Sequence, residues 1–156
     1  MKRIVLLALC FVICFCTVGC SGIMTPVEKQ TAAYDDHQYC LTMNRQITVV
    51  TNQLCTHMML AKDISDEIRE SVTISAENSL RIIEESIIEV QTMTPPEQYI
   101  ENQENTLRMM ENANEHMKSY ITLLKSDDNT TDYSHISTLL QSDFIALTAE
   151  FNVYYK

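Results

Sequence analysis

Glycine is nearly missing from this chain. Of 156 residues only Gly19 and Gly22 are glycine, so none occurs from Ile23 to Lys156. That excludes the Gly-rich loops that cradle phosphates and dinucleotides. It also removes the usual turn residue of β-hairpins. Proline is scarce too, at Pro26, Pro95 and Pro96. A body without glycine and with so little proline reads as long helices joined by short connections. Basic residues are few: 11 Lys and Arg stand against 21 Asp and Glu. Two of the 11 are Lys2 and Arg3 at the very start, which leaves 9 against 21 beyond residue 19, a net charge of −12. Such a body repels nucleic acid and anionic lipid, so no nucleic-acid partner is expected. No HxxxH or CxxCH spacing and no nucleophile motif is present. The reading is a protein without catalytic residues or cofactor.

The N-terminus carries the most specific pattern. After Lys2 and Arg3, residues Ile4 to Val18 form an uncharged apolar run of fifteen. A spanning helix needs about 20 such residues, and the layout is that of an export signal. The run ends in Thr17-Val18-Gly19-Cys20, which resembles the lipobox of bacterial lipoproteins. Gly19 is the small residue wanted before the cut, and Thr17 stands where leucine is usual. Cys10, Cys14 and Cys16 follow the bulky residues Leu9, Ile13 and Phe15 and do not compete. The resemblance implies cleavage before Cys20 and acylation of its sulfur. Two or more chains anchor a protein stably, whereas one does not. The alternatives are an uncleaved anchor and ordinary signal-peptidase cleavage after Gly22. The expected organisation is a signal peptide over 1–19, a lipidated Cys20 and tether over 20–26, and a helical domain over 27–156. The location implied is the cell envelope. Ser21 after the cysteine implies the outer membrane in a Gram-negative cell, and a Gram-positive cell would carry the protein on the outer face of its plasma membrane.

The body is periodic. Cys40, Met43, Ile47, Val50, Leu54, Met58 and Ala61 recur at steps of three and four, one inward stripe of a first helix ending near Lys62. Ser65 is placed to cap a second helix over about 66–92, lined by Ile68, Val72, Ala76, Leu80, Ile83, Ile87 and Val90. Ile74, Ile82 and Ile88 widen that stripe and predict that this helix is well covered. "TPPE" predicts a third helix capped by Thr94, with Pro95 in its first turn and Glu97 closing a capping box, running to about Lys125. Gln103 and Asn114 stand on its apolar seam, where polar residues fix register. "KSDDNTT" reads as a polar loop. A fourth helix follows from about Asp132, with Ile136, Leu140, Phe144, Leu147, Phe151 and Tyr154 inward. The fold class expected is all-α, an up-down-up-down four-helix bundle.

That topology collects residues at two poles. One pole gathers His57, His116 and His135 with Met58, Met59 and Met117. Imidazole and thioether are copper ligands, and in principle haem ligands. A copper or haem carrier is therefore the alternative function, and solvated or gap-filling side chains are the plain reading. The other pole gathers Tyr34, Tyr39, Tyr99, Tyr154 and Tyr155, which suits core closure or a girdle facing a membrane or partner. Cys40 and Cys55 lie 15 residues apart, about 22 Å along one helix, too far for a disulfide, and are expected as buried free thiols. The function read from the sequence is a lipid-anchored binding or interaction module at the envelope. It would meet the membrane through its N-terminal lipid and an unnamed envelope protein or ligand through its body.

Overall fold

The computed structural model describes residues 26–126 and 131–155, with side chains from residue 35 onward. The signal segment, Cys20, Tyr34 and most of the "KSDDNTT" loop lie outside the described residues. Four α-helices account for nearly all of the described chain, and it contains no strand: α1 (Pro26–Leu60), α2 (Asp66–Thr92), α3 (Ile100–Leu124) and α4 (Ser134–Tyr154). The chain divides into a first unit ending at Asp35 and a second from Asp36 to Lys156. α1 runs through that division, and the bundle described below is the second unit.

Polar cross-links fix the topology. Gln53 and His57 of α1 meet Ser79 of α2. Gln103 of α3 reaches the Val90 and Met93 carbonyls at the end of α2. Thr106 of α3 meets Tyr154 of α4, and His116 meets Asp143. Asn44 donates to the Tyr154 carbonyl at 3.1 Å, and the Ser137 hydroxyl donates to the Met58 carbonyl at 3.0 Å. Between α3 and α4, and between α1 and α4, one residue number rises as its partner falls. Gln103–Val90, Lys118–Glu84 and Lys125–Glu77 run the same way between α3 and α2, and the short connection over 61–65 turns α2 back along α1. Neighbouring helices are thus antiparallel, and the bundle runs up-down-up-down.

The apolar stripes meet in one core. Met43, Ile47, Val50 and Leu54 of α1 are fully buried, as are Ala76, Ile83 and Val90 of α2, Met110 and Met117 of α3, and Leu140 and Leu147 of α4. The cross-bundle ion pairs Lys125–Glu77 (2.6 Å) and Lys118–Glu84 (3.8 Å) sit on the surface, where water and salt screen them, and contribute little. The core therefore dominates the stability.

Three local expectations need correction. Ile74 and Ile88 are 55% and 59% exposed, so α2 is covered only on the side facing its two neighbours. Ser65 occupies the N-cap position of α2, but its side chain makes no capping bond, and its carbonyl accepts the Ile68 and Arg69 N–H groups instead. "TPPE" does not begin α3. A residue before proline is pushed out of the helical region. Pro95 precedes Pro96, and Pro96 is itself extended (ψ 150°). The chain then makes a 3₁₀ turn over Glu97–Tyr99, with the Tyr99 N–H on the Pro96 carbonyl at 2.8 Å, and α3 opens at Ile100 without a side-chain cap. α4 opens at Ser134, within two residues of the expected start. There Asp132 accepts both the backbone N–H and the hydroxyl of Ser134, at 2.8 and 2.9 Å. Those bonds hold the Asp132 carboxyl below its ordinary pKa.

Candidate functional site

The pole formed by the ends of α1 and α3 and the start of α4 is where chemistry-bearing side chains were expected to gather. The bundle treats them individually. His57 is completely buried. It follows Leu54 by three residues and precedes Ala61 by four, so it falls on the inward stripe itself. Met58 beside it is only partly buried. The His57 Nε2 lies 3.0 Å from the Ser79 hydroxyl, and that hydroxyl donates to Gln53 Oε1 at 2.8 Å. With its hydrogen committed there, the Ser79 oxygen accepts from His57, which places the ring hydrogen on Nε2 and leaves a lone pair on Nδ1. Nδ1 is buried and has no partner.

Two phenols continue the line. The Tyr120 ring stands 5.6 Å from that of His57, and the Tyr133 ring 6.3 Å from that of Tyr120. Tyr120 is fully buried and Tyr133 is 8% exposed, and both hydroxyls lack partners. A buried polar group left unpaired costs about 1–3 kcal/mol. Burial pushes the Tyr120 phenol well above its ordinary pKa. Burial likewise lowers the pKa of His57, only partly opposed by the nearby Ser75 carbonyl.

His116 and His135 stand apart from this cluster. His116 is about one third exposed, and its Nδ1 meets Asp143 Oδ2 at 2.6 Å. Asp143 is nearly buried, and desolvation raises its pKa despite the histidine. His135 is exposed at the start of α4. It lies eight residues, about 12 Å along the helix, from the Asp143 that holds His116. Met117 is fully buried in the core and Met59 is 57% exposed. Among the described residues no three His, Cys, Asp or Glu side chains are grouped to hold a metal ion. His57 and His116 already have partners in Ser79 and Asp143. The pole does not bring its three histidines to one point.

It does carry a cleft. An open depression of about 500 Å³ lies between the α1–α2 connection and the start of α4. Lys62, Asp63, Ser134, Thr138 and Gln141 form its polar rim, and Tyr133 lines it. The cleft thus borders the line that runs inward through Tyr120 to His57.

The opposite pole is closed by aromatic rings. Tyr39, Tyr99 and Tyr154 stack with centroids 5.5, 5.7 and 6.1 Å apart, and all three are buried. Tyr155 is 84% exposed. The Thr106 hydroxyl binds Tyr154 at 3.1 Å and Glu150 at 3.2 Å, and Tyr39 donates to Gln103 at 3.4 Å. The Tyr99 phenol is pushed up to about 12, first by its hydrogen bond with Cys40 and then by burial. Core closure accounts for these buried rings. Cys40 is a buried free thiol, whereas Cys55 is only partly buried, also free.

His57 makes stability depend on pH with a definite sign. Its folded pKa is depressed, so the unfolded chain takes up the proton more readily. Stability is fully present above the unfolded value of about 6.5 and is lost as pH falls below it toward the folded pKa. Asp143, with a raised folded pKa, acts in the opposite sense, and its contribution is lost as pH rises from about 4. His57→Gln keeps an N–H donor for Ser79 and cannot titrate. Melting temperatures at about pH 7.5 and about pH 5.5 should fall more between the two values for wild type than for the variant. Equal falls would show that His57 is not the acid-sensitive group.

No protein family, curated protein or solved structure matches the chain at a significant level.

Proposed function

We propose that the protein is a lipid-anchored helical module of the cell envelope that works by binding. The observation that carries this reading is the N-terminal pattern: two basic residues, a fifteen-residue apolar run, and Gly19-Cys20 at its end. The body fits the same reading. Among the described residues no helix is long and apolar enough to cross a membrane. A net charge of −12 beyond the signal repels anionic lipid, so attachment would rest on the acyl chains of Cys20. The polar cleft at the histidine pole lies at the far end of the bundle from Asp36. It is the surface on which a ligand or partner would be met.

Palmitate labelling in cells tests the anchor. Wild type should carry the label and shift to the processed size, whereas Cys20→Ala should remain full-length and unlabelled. A Cys20→Ala chain that is processed and labelled like wild type would remove the basis of the proposal.

A further inference from the structure

The line His57–Tyr120–Tyr133 joins three separate elements: α1, α3 and the segment leading into α4. Each contributes one buried polar atom that nothing in the protein satisfies: His57 Nδ1, Tyr120 Oη and Tyr133 Oη. The rings follow one another at 5.6 and 6.3 Å. Buried polar groups in native proteins almost always have a partner, and ordered water supplies it where protein does not.

The chemistry of these atoms defines the guest. Nδ1 offers a lone pair and no hydrogen, because the ring hydrogen is committed toward Ser79. The guest must therefore donate to it. Each phenol can donate or accept, so the guest must also be able to accept. It must be neutral: no ionic side chain acts on His57, and only Tyr133 acts on Tyr120, so an ion here would be buried without a counter-charge. It must also be small, because it lies within a packed core. Water meets all four requirements, and two to four polar partners are what a buried water needs. We propose that the histidine pole encloses ordered water bonded to His57 Nδ1 and to the hydroxyls of Tyr120 and Tyr133. Tyr133 also lines the cleft. Because Tyr133 belongs to both, it is the route by which this water exchanges with solvent.

Oxygen-17 relaxation dispersion on the full chain in detergent reads long-lived internal water directly. The wild type should show such a component, and Tyr120→Phe/Tyr133→Phe should lose at least one water from it. Each single Phe variant should melt a few degrees below wild type, because a hydroxyl bonded to water stabilises. A dry, orphaned hydroxyl predicts the reverse, since its removal relieves the structure. Equal dispersion in wild type and double variant, or Phe variants that melt higher, would overturn the proposal. Should the double variant fail to fold, the electron density of a wild-type crystal decides: a water within hydrogen-bond distance of His57 Nδ1 supports the site, and an empty space there overturns it.

Discussion

Replacing Tyr154 by alanine should lower stability by about 3–5 kcal/mol, the cost of removing a large aromatic ring from a core. Tyr154 is 2% exposed and stacks against both Tyr39 and Tyr99. Its hydroxyl meets Thr106 at 3.1 Å. Alanine leaves a cavity where α1, α3 and α4 meet and strips two neighbouring rings of their contacts. Tyr154→Phe keeps the rings and loses only the hydroxyl, so its cost should be about 1 kcal/mol. Denaturant unfolding of the two variants separates the contributions. Equal losses would mean that the hydroxyl network, and not the stacking, closes this pole.

Gln103→Leu should destabilise the bundle by about 1 kcal/mol although it adds an apolar side chain to an apolar seam. The Gln103 amide donates to the Val90 and Met93 carbonyls, and its oxygen accepts from Tyr39. Val90 keeps the Met93 N–H at 3.3 Å. The loss therefore falls chiefly on the part-buried Met93 carbonyl, because the Tyr39 hydroxyl keeps its hydrogen bond to Tyr154, and it is partly offset by the greater hydrophobicity of leucine. Asn114 stands on the same seam, yet its side-chain oxygen has no partner. Asn114→Leu should therefore be neutral or stabilising. If both substitutions destabilise equally, Gln103 does not owe its place to the end of α2.

These two residues show how far the sequence could be read. Spacing alone marked both as polar interruptions of α3, and it marked the helices and most of the buried aliphatic residues, but not Ala113, Tyr120 or Tyr133. Only the three-dimensional partner distinguishes them: Gln103 faces the last turn of α2, and Asn114 faces no such terminus. His57 was hidden for a related reason. Positions 57 and 58 both continue the α1 stripe, and the polarity of histidine favoured Met58. Ser79 and Gln53, brought together by the α1–α2 pairing, make the buried imidazole tolerable. "TPPE" misled because each proline alone suits a helix start, whereas Pro95 before Pro96 forbids one there. Tyr133 and Tyr120 carry no periodic signal of their relation to His57. Their alignment comes from the register of three elements far apart in the chain.

The anchor is the central claim, and the mass of the N-terminal peptide of protein purified from membranes tests it most directly. The account predicts a chain that begins at Cys20, with a mass increment equal to a diacylglyceryl group, with or without a further acyl chain. A peptide beginning at Met1, one beginning after Gly22, or an unmodified Cys20 would contradict it.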